Sequence, residues 1–449
     1  MASAEAPKLS INIALPSGSS LTLTASATSP VAELKTAAQE VLKVPFLQVI
    51  SVKGQLLNAA ETLEEAGIHQ GDVLTAIVQE PRLAATRGAF AFWCCGSGVV
   101  TWGNPEIGGD SSGVQDQLKD VQSIEASATT FAALRSDGSV VSWGHPAAGG
   151  DSSQVQDQLK DVQQICAADY AFAAILKDGS VVSWGRPMYG GDSSKVAGLL
   201  KDVKHLAASK AAFAATLANG SVVTWGDDDY GGDSHEVTDQ LKDVSEIQST
   251  EAAFAAILAD GSVVTWGDHH ETFGSDSRAV QDQLRNVQQI CGSSAAFAAQ
   301  RPDGSVVTWG DPRFGGDSSE VRAQLRDVQK IYATGSAFAA ILANGSVVAW
   351  GDPESGGDSF EVQDQLIDVK HIEASEGAFA ALLADASVVS WGDAEFGGDS
   401  SGVLHQLIGV KEIKASDYSF AAILANGSLV SWGNEQNGGD SRNVRLQWL

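Results

Sequence analysis

Basic residues are scarce: 28 Lys and Arg stand against 56 Asp and Glu in 449 residues, a formal net charge of −28. Nucleic acids and anionic membranes are held by clustered Lys and Arg that displace counterions. An acidic chain is therefore expected to bind neither, while basic proteins stay open as partners. Cysteine is rarer still. Cys94, Cys95, Cys166 and Cys291 form no C-x₂-C zinc pair and read as reduced structural or surface thiols. The adjacent Cys94 and Cys95 have no His in their own repeat to activate them. No apolar stretch reaches 18 residues, no basic-then-apolar leader opens the chain, and Met1-Ala2 lacks the myristoylation pattern. The cytoplasm or the nucleus is the expected location. No phosphate loop, G-x-S-x-G turn, dinucleotide fingerprint or triad spacing occurs, so neither an enzyme nor a cofactor is expected.

What the chain does have is one hairpin written nine times. The copy at 253–267 reads AFAAILADGSVVTWG, opened by Phe254 and closed by Trp266. The same pair recurs as Phe90/Trp102, Phe131/Trp143, Phe172/Trp184, Phe213/Trp225, Phe297/Trp309, Phe338/Trp350, Phe379/Trp391 and Phe420/Trp432. Successive tryptophans lie 41 residues apart, except for 43 between Trp266 and Trp309, where two residues are inserted in the stretch 269–273. A period of this size belongs to units that bury their apolar faces against one another. These eighteen aromatics are therefore expected to be the structural core of the repeats.

Within each unit, two apolar runs flank Asp-Gly or Asn-Gly, as in Asp137-Gly138 and Asn219-Gly220. That dipeptide predicts a tight type I′ hairpin turn. The eighth unit has Asp385-Ala386 instead, and alanine resists positive φ, so a looser or different turn is expected there. After each Trp-Gly comes, in most units, Gly-Gly-Asp-Ser, then a helical turn. Ser112 to Gln115 and Ser153 to Gln156 have capping-box spacing, and Val155/Leu159 or Val362/Leu366 share one face. A short strand marked by Val162 and Ile165, or Val369 and Ile372, completes the unit. The acids of the Gly-Gly-Asp-Ser loops recur every 41 residues and not every nine, so they cap turns and bind no calcium. His269 and His270, beside Glu271, fall in the inserted loop. Adjacent His side chains rarely share one ion, so the pair reads first as a solvated loop and second, because it breaks the repeat, as a partner surface.

Residues 1–7 read as a tail, and 8–80 differ from everything after them. Leu9, Ile11 and Ile13 alternate, Pro16-Ser17-Gly18 turns, and Leu21 and Leu23 alternate again. Ser29-Pro30 then precedes an amphipathic helix from Val31 to about Lys43, ended by Val44-Pro45. Val49 to Val52, the segment Leu63 to Ile68, Gly71-Asp72 and Val73 to Val78 follow. The order ββαββ, with a helical turn before the last strand, resembles a ubiquitin-like domain. The resemblance implies a β-grasp fold. The di-glycine tail of ubiquitin is absent, since Val78 to Leu83 reads VQEPRL, so conjugation is not implied. The apolar patch that ubiquitin receptors read maps to Pro16, Ser51 and Ile77, of which Ile77 alone keeps a large aliphatic side chain.

Residues 81–88 link the head to a repeat domain at 89–449, and Leu83 to Thr86 are in register with a repeat strand. The pattern A-x-x-x-D-G-S-V-V-x-W-G, then G-G, then V-x-x-I resembles the repeats of the regulator of chromosome condensation family, in its short-repeat variety. That resemblance implies a β-propeller, here of about eight or nine short blades, used for protein contacts. An open superhelical β-array is the alternative. A ring would close if the terminal units share or complete one blade, with Trp448 still packed. Similar blades occur in HERC-type ubiquitin ligases, but only 17 residues follow Trp432, too few for the catalytic HECT domain. The expected function is a non-catalytic interaction adaptor for proteins, basic or of the ubiquitin system. A substrate-binding component of a ligase pathway and a structural or inhibitory array are the alternatives.

Overall fold

The computed structural model describes residues 8–42, 44, 47–78, 80–94, 98–268 and 272–444. His269, His270, the 1–7 tail and Trp448 lie outside them. The chain divides into two compact units, with the break between Arg82 and Leu83.

In the first unit, β1 (Lys8–Ala14) pairs antiparallel with β2 (Ser20–Ser26), and the helix α1 spans Val31–Leu42. Strands β3 (Leu47–Ile50) and β4 (Val73–Val78) complete a four-stranded sheet in the order β2-β1-β4-β3, with β1 and β4 parallel. The period-2 alternation sends Ile11, Ile13, Leu74 and Ala76 inward against Val31, Leu34 and Ala38 of α1. Leu63 and Ile68 close this core. Between them Thr62 and Glu65 cap reciprocally: the Thr62 N–H donates to Glu65 Oε2 at 2.9 Å, and the Glu65 N–H to Thr62 Oγ1 at 3.2 Å.

The second unit holds nine three-stranded antiparallel sheets, each built from three consecutive strands. The first comprises β5 (Pro81–Ala85), β6 (Ala89–Cys94) and β7 (Val99–Gly103), so the strand β5 starts inside the stretch read as a linker. The second comprises β8 (Val121–Ala126), β9 (Thr130–Arg135) and β10 (Val140–Gly144). Blades three to nine repeat this plan at 162–185, 203–226, 244–267, 289–310, 328–351, 369–392 and 410–433.

The run A-F-A-A-I-L explains the packing between blades. Neighbouring residues of a strand point to opposite faces. Phe172 and Ala174 therefore face Ala132 and Leu134 of the preceding blade, while Ala171, Ala173 and Ile175 face Phe213 and Ala215 of the next. A large ring thus meets mainly alanines of the neighbouring strand, which lets the sheets pack closely. Each Trp lies on the face of its Phe, in direct register across the strand pair, with ring centroids 5.1–5.3 Å apart. The indole N–H then reaches back to the preceding link: Trp184 Nε1 donates to Gly149 O at 3.1 Å. Trp350 makes the same bond to Gly315 O at 3.1 Å, and Trp391 to Gly356 O at 2.9 Å. Gly149 sits at φ +99°, and a Cβ there would lie 2.8 Å from the Phe172 ring, so glycine alone fits.

The ring closes. Trp102 of the first blade donates to Gly438 O, beyond the ninth blade, at 3.1 Å, the contact Trp143 makes to Gly108 O at 3.0 Å. The open array is thereby overturned. So is the sharing of one blade between the chain ends, because the first blade has all three strands of its own. The seam is made by side-chain and backbone contacts alone.

Three local expectations also fail, and the first is the looser turn at Asp385-Ala386: Ala386 itself takes φ 68° and keeps the turn of the other units. Type I′ would need positive φ at both Asp and Gly, but only the glycine has it, as at Gly138 (φ 78°). The loop has three residues: Arg135 N–H bonds to Ser139 O, and Gly138 N–H to Arg135 O, both at 2.9 Å. Asp137 keeps negative φ because its carboxylate accepts from the Ser139 N–H at 3.0 Å. The expected capping box is also absent: the serine that pairs with the glutamine is one place earlier, and it bonds to the side chain and caps no backbone N–H. Ser111 and Ser152, not Ser112 and Ser153, bond to Gln115 and Gln156, each at 3.0 Å. Asp110 takes the N–H of Ser112 at 2.9 Å.

Candidate functional site

The first strands of successive blades are neighbours around the axis. The turn that ends each first strand is pinned by a buried hydroxyl in most blades. Ser209 Oγ, for example, donates to Tyr230 O at 2.7 Å and accepts from the Ala212 N–H at 3.1 Å. The next residue of each turn then joins a closed circle. Its N–H donates to the carbonyl of the equivalent residue in the following blade, from Arg87 through Ala128, Asp169, Lys210, Glu251, Ser294, Gly335, Glu376 and Asp417 back to Arg87. All nine bonds are 2.9–3.2 Å long. With hydrogen-bonded neighbours about 4.8 Å apart, nine positions give a backbone radius of ~7 Å.

The circle rims a cavity of 430 Å³ to which every blade contributes. Two cations and four carboxylates stand on it. Arg87 bonds to Asp169 at 2.6 Å and to Asp417 at 3.3 Å, reaching past Ala128 on one side and across the ring seam on the other. Lys210 pairs with Glu251 at 2.6 Å. Glu376 lies over Gly335, whose missing Cβ leaves room for the carboxylate.

Removal from water shifts these groups. Burial first, then the neighbouring Asp417, raises Glu376 to about 7, although Lys210 and Arg87 pull it down. Glu376 as a residue stays exposed, so water screens those neighbours. Burial raises Asp417 to about 6 against the pull of Arg87, and it raises Asp169 as well. For Arg87, burial disfavours the cation, but Asp169 and Asp417 outweigh it and raise its pKa.

Deeper on the inner strands, burial pushes the half-buried thiols of Cys166 and Cys291 up to about 12, which disfavours the thiolate. Tyr332 Oη, His371 and Glu373 form a chain at 3.2 and 2.9 Å, and Lys414 is 3.7 Å from Glu373. Among the described residues no group of three His, Cys, Asp or Glu is disposed to hold a metal.

The eighteen repeat aromatics are placed between the blades. Each Phe is fully buried, and the tryptophans are at most 7 % exposed. They are not brought together into one site. Trp350 stacks on Phe338 at 5.2 Å and Trp391 on Phe379 at 5.1 Å, each inside its own joint between two blades. None of the eighteen reaches the annulus. Ile77 is half-buried on β4, opposite Gln48 of β3; Pro16 is exposed in the turn after β1, and Ser51 directly follows β3. The annular residues went unread in the sequence because they share no residue type. The available signal was position: each stands three residues before a repeat Phe.

These features define a ubiquitin-like head followed by a closed ring of three-stranded blades. Residues 11–81 match the model of the ubiquitin family. Yeast RCC1 (Prp20) bound to Kap60 is similar at 19% identity and a TM-score of 0.36, over 51% of this chain and 70% of that one. Prp20p from Saccharomyces cerevisiae is similar at 17% identity and 0.37, over 61% and 82%. The ubiquitin of Caldiarchaeum subterraneum is similar at 27% identity and 0.16, over 16% of this chain and 96% of that one. No curated protein matches the chain.

Proposed function

We propose that the protein is a non-catalytic adaptor whose ring binds proteins at the annulus. The head is assigned to 8–80 and the ring to 89–449, with the linker 81–88 supplying the first strand of blade one and Arg87 of the annulus. One observation carries the reading. The blades repeat the same Phe, Trp and glycines, yet the nine annular positions display Arg, Ala, Asp, Lys, Glu, Ser, Gly, Glu and Asp. Uniform blades that carry a varied circle separate scaffold from recognition. Four carboxylates against two cations favour partners that present basic groups. The head adds a second contact, open to proteins of the ubiquitin system, and the assembly acts in the cytoplasm or nucleus.

The test is quantitative co-purification with the full chain, its Asp169→Ala/Glu376→Ala variant, and an Ile77→Ser variant. A set of partners should be lost with the annular variant while it still unfolds cooperatively, as a folded ring does. If the annular variant retains every partner, the reading fails. A thioester formed with activating and conjugating enzymes would overturn the non-catalytic assignment.

A further inference from the structure

Eight complete links join the nine blades, and six of them end their helical turn on a cation: Lys119, Lys160, Lys201, Lys242, Arg285 and Arg326. The seventh and eighth carry Ile367 and Ile408 instead, 60% and 74% exposed. The same two links hold two more apolar replacements. Phe360, 84% exposed, stands where the other links have Ser, His or Arg. Leu404, 53% exposed, stands where Gln115, Gln156, Gln281 and Gln363 each donate to a strand carbonyl at 2.9–3.0 Å. Link eight thus forgoes a structural hydrogen bond for exposed apolar surface. Among the described residues, four of the six large apolar side chains exposed on the ring belong to these adjacent links. Clustered exposure of this kind marks an interaction surface.

Charge identifies the occupant. Residues 353–369 hold Glu354, Asp358, Glu361, Asp364 and Asp368 and no Lys or Arg. In links two and five the acid of the helical turn faces its own link's cation, Asp157 to Lys160 at 3.7 Å and Asp282 to Arg285 at 3.5 Å. Asp364 has Ile367 in that place. A second copy of the chain would bring like charges together, and an anionic membrane would be repelled. We propose that links seven and eight dock an amphipathic basic helix of a partner protein, with its apolar face on Ile367 and Ile408 and its Lys or Arg on the flanking acids. In a ring of ~7 Å inner radius, equivalent link positions lie roughly 10 Å apart, and residues i and i+7 of a helix are about 10.5 Å apart along its axis.

The probe is a labelled synthetic helix with Leu at i, i+3 and i+7 flanked by Lys, with a control that has Glu in place of Lys. Both are titrated against the full chain by fluorescence anisotropy. The Lys helix should bind, and the Glu helix should not. Ile367→Lys/Ile408→Lys installs the residue type of the other links, so the ring should melt as before while affinity falls at least about tenfold. Phe360→Ser, a second substitution native to other links, should also weaken binding, and Asp157→Asn, exposed in link two, should not. The proposal is overturned if the Lys helix fails to bind, if the Glu helix binds equally, or if both rim variants bind like the parent. Self-association abolished by Ile367→Lys/Ile408→Lys would overturn it in favour of a second copy.

Discussion

Ala386 and Gly409 exchange the roles that every neighbouring pair of links assigns the other way round. Elsewhere the hairpin glycine lies against an Asp or Asn that holds positive φ, as Gly345 lies against Asp368, where an added Cβ would come within 2.8 Å of the Asp368 Cα. In the eighth unit the alanine takes φ 68° and the opposing residue is Gly409 at φ 69°. The turn survives unchanged: Ala386 N–H still bonds to Leu383 O at 3.1 Å, and Val410 N–H to Ala386 O at 3.0 Å. The facing residue there is a glycine, which adopts positive φ at no steric cost. Left-handed alanine costs about 1–2 kcal/mol, partly offset by the looser unfolded chain that glycine brings. Ala386→Gly should therefore stabilise the ring by roughly 0.5–1 kcal/mol in chemical denaturation. Gly409→Asp should destabilise more with Ala386 in place than with Gly at 386. Additive effects in this double-mutant cycle would show that the two positions do not press on each other.

Trp225 is 5% exposed, stacks on Phe213 at 5.2 Å and donates to Gly190 O at 2.9 Å. Trp225→Ala leaves a cavity and an unmet carbonyl and should cost about 3–5 kcal/mol. Trp225→Phe, which loses the hydrogen bond but fills most of the space, should cost less. Unfolding curves for Trp225→Ala that overlay the parent would contradict a core role.

The repeat, its strands and the aromatic register were legible in the sequence because each rests on spacing, and spacing is what the backbone period reads out. The head was legible for the same reason: Ile11, Ile13, Leu34 and Ala38 alternate with the periods of strand and helix. Turn type was not, because Asp-Gly serves both a two-residue and a three-residue loop. The choice falls to the Asp137 side chain and its bond to the Ser139 N–H. Closure was not legible either, since Trp102 and Gly438 are 336 residues apart in sequence. The annulus was hidden by its own variety: a position that changes in almost every unit leaves no motif.

Acid titration gives a prediction with a definite sign. Glu376 is raised from 4.5 to about 7 and Asp417 from 3.8 to about 6. Between those limits the folded ring holds protons that the unfolded chain has released, so these groups lower stability as pH rises through that window. Glu376→Gln and Asp417→Asn should remove that slope. The variants gain on the parent as pH climbs from about 4 toward 7, and little at pH 4. A parent stability that rises across the window and a variant difference that stays flat would refute the raised values.

Each neighbouring pair of blades is tied by a covalent link except the ninth and the first, so the seam is the one joint that can open without unfolding a link. It is held by Trp102 on Gly438 O, by the Asp417 N–H on Arg87 O at 3.1 Å and by the Arg87 side chain on Asp417 at 3.3 Å. Gly438 sits at φ +95°, with a Cβ position 2.6 Å from the Phe90 ring. Gly438→Ala should thus loosen the seam, while Gly190→Ala, which meets Phe213 at 2.5 Å, disturbs an internal joint that the chain still ties. Hydrogen exchange should separate them. Gly438→Ala should accelerate exchange in the first and ninth blades together, at opposite ends of the repeat, and Arg87→Ala should add to it. Gly190→Ala should affect only the third and fourth blades. Exchange confined to the ninth blade in Gly438→Ala, with 81–103 still protected, would mean that the first blade does not depend on closure for its stability.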